Sequence, residues 1–169
     1  SRDLGVMRQS LVFQGIEAIA RNRNHKVADI RLFEFGRTYM KKGDGYSETE
    51  HLSLFVSGNK TAENWNNTGE GSDMFTVKES VWAILSQVGI ADKVSERIDD
   101  GGILLEGSEI LLGEKSIGRF GKVHPDVVQI CGMSGDVFWA DLLVKPLIKS
   151  RKKRKVVAFD LPKFPSVRR

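Results

Sequence analysis

The segment 115–143 constrains the fold more than any other, because it combines two strand-like runs with a helix start and a helix stop. Pro125 has no amide hydrogen and a φ suited to the first helical turn, and Asp126 adds negative charge there. A residue that precedes proline favours extended backbone, so residues 117–124 are expected to be extended. Gly132 ends the helix, and the run 137–140 (VFWA) is strongly strand-like. The segment therefore predicts a strand, a short helix, a turn and a second strand.

Two further helices are predicted from apolar residues at helical spacing. The first covers about residues 11–21, with Ser10 as its N-cap and with Val12, Ile16, Ile19 and Ala20 on one face. Gly15 in its middle costs ~1 kcal/mol relative to alanine. The glycine indicates either close packing against another element or a core-facing helix that tolerates one glycine. The second helix is expected to start at a capping box over residues 76–79 and to end at Gly89.

The remaining strands follow from apolar and β-branched runs. Residues 30–40 resemble a buried central strand, and residues 51–57 resemble its antiparallel neighbour across a loop of about ten residues. Residues 103–112 form another strand-like run, which Gly113 and Glu114 join to residue 115 by a two-residue turn. Trp65 stands alone in a polar stretch and is expected to dock that stretch onto the core.

Composition limits the class of protein. A chain of 169 residues with 40% hydrophobic content is suited to one folded domain. The net charge of +4 reflects a basic run at 149–155 (KSRKKRK), which is more typical of a solvated linker than of a phosphate site. No apolar run approaches the ~20 residues that cross a membrane. A single cysteine, Cys131, forms no internal disulfide, which favours a cytoplasmic location. The chain begins at Ser1 and not at a methionine, which suggests that it is a piece of a longer protein.

Known catalytic and metal-binding patterns are missing from the sequence. His25, His51 and His124 have no histidine, cysteine or carboxylate at metal-ligand spacing. The chain contains no GxxxxGK[ST], no GxSxG and no GxGxxG after a strand. Candidate carboxylates exist at Glu34, Glu79, Asp126 and Asp141, but spacing pairs none of them. The residues alone predict an α+β domain and leave its function open.

Seven segments, in order, resemble the β subunit of bacterial phenylalanine–tRNA ligase. They are MRQSLV at 7–12, DIRLFEFGRTY at 29–39, EHLSLFVSG at 50–58, FTVKESVWAIL at 75–85, IGRFGKVHPDVV at 117–128, VFWADLL at 137–143 and KFPSVRR at 163–169. The resemblance implies a catalytic-like domain over residues 1–148, with a class II aminoacyl-tRNA synthetase-like antiparallel sheet flanked by helices. It also implies that residues 149–169 are a basic linker leading to the start of an anticodon-binding domain.

The resemblance further implies which residues meet partners. The first helix would correspond to the class II motif 1 helix at the subunit interface, which suggests a contact with the α subunit through Val12, Gly15, Ile16 and Ile19. The basic run would offer contacts to transfer RNA or phosphate through Arg151, Lys152, Lys153 and Arg154. The implied assembly is a cytoplasmic α2β2 heterotetramer without a membrane partner. The family's editing module lies upstream of this stretch.

The resemblance implies a domain that is not itself catalytic. Active class II enzymes use a hairpin arginine for the ATP α-phosphate, for which Arg31 and Arg37 are the candidates. They also use a glycine-rich strand and an arginine for the γ-phosphate, whereas residues 137–143 contain neither glycine nor arginine. No cofactor is therefore expected on this chain, and ATP and Mg²⁺ would be used by the holoenzyme. The alternatives are a small ATP-binding class II-like ligase and an RNA-binding module that uses residues 149–155.

Overall fold

The computed structural model describes residues 7–43, 45–61, 65, 69–99 and 101–151. Within these ranges the chain forms six strands and four α-helices, with a 3-10 turn at Ala91–Lys93. In chain order they are α1 (Val12–Asn24), β1 (Ile30–Lys42), β2 (Gly45–Ser57), α2 (Met74–Val88), β3 (Val94–Ile98), β4 (Leu104–Leu112), β5 (Lys115–Val123), α3 (Pro125–Ile130), β6 (Phe138–Leu143) and α4 (Val144–Ser150).

All six strands form one antiparallel sheet in the order β1-β2-β6-β5-β4-β3. Two hairpins, β1–β2 and β4–β5, are built from neighbouring strands, and β6 lies between them. The register places Ser53 of β2 opposite Asp141 of β6, which in turn lies opposite Arg119 of β5. The α+β fold with an antiparallel sheet agrees with the sequence prediction, and β6 is central.

Each face of the sheet is covered by its own hydrophobic cluster. On one face α2 and α4 pack over the central strands, with Val81, Leu85 and Leu147 in the cluster. On the other face α1 and α3 do so, with Ile16 and Val128 in the cluster. Burial of this kind gives about 1.5–3 kcal/mol for each large apolar side chain. The two clusters together sandwich β6.

The segment from β5 to β6 has the predicted order of elements. The His124 side chain caps α3 by accepting a hydrogen bond from the Asp126 amide at 3.3 Å, and Pro125 is the first helical residue. Gly132 follows the helix with φ +72°, a left-handed conformation that favours glycine. The two strands then meet, since the Val123 amide donates to the Val137 carbonyl at 2.9 Å.

The helix starts differ from the predictions by a few residues. The first helix has Leu11 as its N-cap without a side-chain cap bond, although the Ser10 hydroxyl still accepts from the Val12 amide at 3.3 Å. The capping box of α2 joins Asp73 to Thr76 and not Thr76 to Glu79. Aspartate is a stronger N-cap than threonine, and Asp73 directly precedes the first helical residue, Met74. Gly89 ends α2 in the left-handed conformation, as predicted.

Loss of this cap is a direct test of the α2 assignment. The Thr76 amide donates to Asp73 Oδ1 at 2.8 Å, and the Asp73 amide donates to Thr76 Oγ1 at 3.2 Å. Asp73→Ala is expected to lower the free energy of unfolding by about 1 kcal/mol. The hydrogen bonds from Thr76 hold the pKa of the Asp73 carboxyl below its ordinary value. The cap therefore stabilises the fold above about pH 4 and loses this effect as the pH falls further. Urea unfolding of both proteins at pH 7 and pH 3 checks this, and a difference that grows toward pH 3 would contradict it.

The position of β1 is a correction to the sequence prediction. Residues 30–40 were expected to form a central strand, but β1 lies at the edge of the sheet. Phe33 and Phe35 are 70% and 67% exposed, so their face of β1 is uncovered. The predicted loop of about ten residues is also wrong, because β1 and β2 stay paired as far as Lys42 and Gly45. Trp65 is 97% exposed and does not dock onto the core.

The described residues end at Arg151, so only the first three residues of the predicted linker at 149–169 are described. Helix α4 runs across it, to Ser150. Residues 152–169, which include Lys152, Lys153, Arg154 and the KFPSVRR segment, lie outside the described part. Within the described ranges, none of the helices has the length and apolarity needed to span a membrane.

Candidate functional site

The strand β6 lies where the resemblance would place a nucleotide, and its side chains are packed on both faces. Phe138, Ala140 and Leu142 belong to the cluster under α2, and Trp139 belongs to the cluster under α1. All four are at most 5% exposed. The indole N–H of Trp139 has no hydrogen-bond partner among the described residues, so this ring contributes packing alone. Both faces of β6 are therefore covered by this chain's own side chains.

The polar group of β6, Asp141, is occupied by hydrogen bonds from β2. The Ser53 hydroxyl donates to Asp141 Oδ1 at 2.6 Å, and His51 Nδ1 lies 2.7 Å from Asp141 Oδ2. The second ring nitrogen, His51 Nε2, lies 2.9 Å from the Thr38 hydroxyl of β1. The His51 and Asp141 side chains are only 12% and 16% exposed. The network joins three strands on the α1 face and uses the polar atoms that a ligand would otherwise contact.

Helix α1 packs closely against the face of the sheet that carries this polar network. A Cβ atom at Gly15 would lie 2.1 Å from Cζ of Phe55, a residue that is 1% exposed. The glycine is therefore required by close packing of the helix against β2, and the predicted close approach is present. This contact between Gly15 and Phe55 lies within one chain.

This placement concerns the four residues predicted at the subunit interface, and their contact with a partner stays a prediction. Val12, Ile16 and Ile19 are completely buried and Gly15 is buried with them, all against this chain's own sheet. An amphipathic helix buries its apolar stripe in the nearest core, so the stripe by itself does not identify a subunit contact. The outer face of α1, which carries Phe13 at 42% exposure, is the part open to a partner.

The two arginines proposed for an α-phosphate point away from the polar network. Arg31 and Arg37 lie on the opposite face of β1 from Thr38, because side chains alternate along a strand. Arg31 donates to the Lys60 carbonyl at 2.6 Å. Arg37 forms ion pairs with Glu48 at 2.8 Å and Glu50 at 3.0 Å, and these carboxylates raise the pKa of its guanidinium. Both arginines are already engaged by this chain.

The cavity nearest the network lies beyond the end of β6. It has a volume of about 300 Å³, and His51 and Val144 are among its lining residues together with Phe35, Arg37 and Glu50. This is the lower end of the range for small-molecule sites. Glu50 would repel a phosphate, and Arg37 is paired with it. The cavity does not fit ATP.

Metal and thiol chemistry have no support in the described part of the chain. Over those residues, no group of three histidine, cysteine or carboxylate side chains could hold a metal ion. Cys131 follows α3 and is half-buried, and burial raises the pKa of its thiol. A raised pKa lowers the thiolate fraction, which argues against a nucleophile.

The sequence analysis did not find the network that joins Thr38, His51, Ser53 and Asp141. A weak signal was available, since His51 and Ser53 are two apart on a strand and must share a face. Asp141 is 88 positions further along than Ser53. Only the placement of β6 beside β2 brings them together. Of the predicted phosphate contacts, Arg151 is exposed at the end of α4, and the other three lie outside the described residues.

The sheet order and flanking helices define a class II aminoacyl-tRNA synthetase fold. Two solved structures of pyrrolysyl-tRNA synthetase from Desulfitobacterium hafniense share it, with TM-scores of 0.64 and 0.59. Each match has 12% sequence identity and covers 85% of this chain and 49% of the other. At that identity the likeness concerns the fold alone.

The family model described as phenylalanyl tRNA synthetase beta chain CLM domain matches residues 1–144, and the chain belongs to this family. A phenylalanine–tRNA ligase beta subunit from Bacteroides thetaiotaomicron is 34% identical over the whole chain, and one from Bacteroides fragilis is 32% identical. The subunit from Porphyromonas gingivalis is 29% identical. The chain spans about 22% of the length of these relatives. The family resemblance predicted from seven segments is confirmed.

Proposed function

We propose that this chain is a non-catalytic structural domain of the β subunit of phenylalanine–tRNA ligase. In this proposal it supports the ATP-dependent attachment of phenylalanine to its transfer RNA, which the α subunit performs. The observation that carries the proposal is the packing of β6, whose Phe138, Trp139, Ala140 and Leu142 are buried on two faces. A nucleotide site needs an open face with free cationic groups, and the described residues offer neither along this strand.

The assembly in this proposal is a cytoplasmic α2β2 heterotetramer that binds transfer RNA. Contact with the α subunit would use the outer face of α1, on which Phe13, Glu17 and Arg21 are exposed, because the inner face is buried. Transfer RNA contacts through Arg151, Lys152, Lys153 and Arg154 remain part of the proposal. ATP and Mg²⁺ would bind to the partner subunit of the assembled ligase.

Substitution of Arg37 on β1 tests the proposal, because a catalytic function would need this arginine to bind phosphate. Arg37→Met in the assembled ligase is expected to leave the aminoacylation rate per assembled complex within about twofold, because Arg37 is held by Glu48 and Glu50. A phosphate-binding role would require a loss of about 10²-fold or more. The matched control is Arg97→Met, which removes an exposed arginine ion-paired with Glu109 on β3 and β4. A large loss with Arg37→Met alone would contradict the proposal.

A further inference from the structure

A cavity between α4 and the hairpin of β4 and β5 is lined by three lysines. It has a volume of about 330 Å³. Lys115 comes from the start of β5, and Lys145 and Lys149 come from α4. The other lining residues are uncharged, and they are Leu112, Ser116, Ile117, Pro146 and Ser150. The cavity therefore carries positive charge on a largely apolar floor.

The fold brings these lysines together from two separate elements. The register pairs Lys115 with Leu112 across the hairpin, and cross-strand partners share a face of the sheet. Leu112 packs against the hydrophobic cluster under α2 and α4, so Lys115 lies on the face that α4 covers. Lys145 and Lys149 are four residues apart in α4, which places them one turn apart on the same side of the helix.

The charges of the three lysines are not compensated within the described part of the chain. Over those residues, no carboxylate lies within ion-pair distance of Lys115, Lys145 or Lys149. Other lysines of this domain are paired, since Lys78 lies 2.7 Å from Glu96 and Lys122 lies 2.9 Å from Asp136. Like charges around one recess repel each other, so an anion that enters the cavity is favoured.

The neighbouring cavity carries two carboxylates, and they are engaged elsewhere. Glu48 and Glu50 line it together with Lys145 and Lys149. Arg37 pairs with both carboxylates, at 2.8 Å and 3.0 Å. Arg37 and the lysines together outnumber the two carboxylates, so this end of α4 keeps an excess of positive charge.

The lining residues indicate which kind of anion fits. Lysine ammonium groups bind phosphate as point charges. Among the described residues that line the cavity, none is aromatic, so it offers no surface for base stacking. Contacts of this kind position a nucleic-acid backbone without reading its sequence.

We propose that Lys115, Lys145 and Lys149 bind a phosphate group of an RNA backbone in this cavity. The inference rests on the proposed function for the identity of that RNA, the transfer RNA of the ligase. It adds a site, formed by β5 and α4, to the contact proposed for Arg151. The three ammonium groups surround a recess, which admits one protruding phosphodiester group and not a flat anionic surface.

Salt-dependent binding of transfer RNA to the assembled ligase tests the site. The double change Lys115→Gln and Lys149→Gln is expected to raise the Kd about tenfold at low salt. It is also expected to lower the slope of log Kd against log salt by about 2, because each lost phosphate contact releases one counterion fewer. The matched control is Lys26→Gln with Lys42→Gln, which removes the same charge from exposed positions that do not line the cavity. All four side chains are exposed, so both variants are expected to keep the thermal midpoint of the parent protein.

The outcomes separate this site from the proposed function. An unchanged slope in the cavity variant, or equal effects of the two double variants, would overturn the site and leave the proposed function intact. An assembled ligase that binds no transfer RNA would contradict both.

Two further measurements identify the source of the phosphate. Millimolar inorganic phosphate at constant ionic strength is expected to change the Kd for transfer RNA by less than about twofold. If it abolished the difference between parent and cavity variant, the cavity would be a site for free phosphate and the proposal would be wrong. Vesicles of phosphatidylserine and phosphatidylcholine are expected to sediment parent and cavity variant equally. Loss of vesicle binding by the cavity variant, with RNA binding unchanged, would assign the lysines to a membrane surface and overturn the proposal.

Discussion

Gly15→Val is expected to lower the free energy of unfolding by about 3 kcal/mol. The new Cβ would lie 2.1 Å from Cζ of Phe55, inside a core where the ring has no room to move. Helix propensity works in the other direction, since replacing glycine in a helix gains up to ~1 kcal/mol. Overpacking is the larger of the two effects, so the sign is destabilising. Urea unfolding monitored by circular dichroism measures it.

A matched control and a rescue identify the cause of this loss. Glu17→Val introduces the same side chain on the exposed face of α1 and is expected to cost about 0.5 kcal/mol at most. Combined with Phe55→Leu, Gly15→Val is expected to cost 1–2 kcal/mol less than it does alone, within the usual range of coupling between residues in contact. Equal losses for Gly15→Val and Glu17→Val would show that α1 does not pack closely on β2.

Asp141→Ala is expected to cost about 3 kcal/mol. The substitution leaves the Ser53 hydroxyl and His51 Nδ1 buried without their hydrogen-bond acceptor, and each unsatisfied buried group costs about 1–3 kcal/mol. Asp141→Asn retains one acceptor oxygen and is expected to cost about 1 kcal/mol. The comparison is again made by urea unfolding at pH 7.

The control for this series is Glu79→Ala, which removes an exposed carboxylate from α2 and is expected to change stability by about 0.5 kcal/mol or less. If Asp141→Ala were as mild as Glu79→Ala, Asp141 would not be holding β2 and β6 together. The structural interpretation of the polar network would then be wrong.

Local signals predicted the elements of this chain better than they predicted the neighbours of each element. Pro125, Gly89 and the turn at Gly113 act through backbone geometry, which depends on the residues nearby. The position of β1 in the sheet is not determined by nearby residues, because apolar residues at alternate positions are compatible with a buried strand and with an exposed edge strand. The sequence therefore placed Phe33 and Phe35 in the core, where they are not.

The candidate site shows the same difference between features that depend on nearby residues and features that depend on the placement of strands. The lack of glycine and arginine in residues 137–143 was visible in the sequence, and it led to the expectation that this chain binds no cofactor. The hydrogen bonds that occupy Asp141 were not visible, because they depend on β6 being inserted between β2 and β5. The interface prediction for Val12, Ile16 and Ile19 rests on a similarly ambiguous signal and stays a prediction, with these side chains buried within this chain. An apolar helical stripe does not indicate which surface covers it.

The central claim, that β6 offers no nucleotide site, is tested most directly by calorimetry. ATP with Mg²⁺ is titrated into the polypeptide that carries this chain, with no other protein present. The account predicts no saturable heat up to millimolar nucleotide, because the faces of β6 are occupied by Trp139 and its neighbours. Stoichiometric binding with a micromolar Kd that is abolished by Arg37→Met would contradict it.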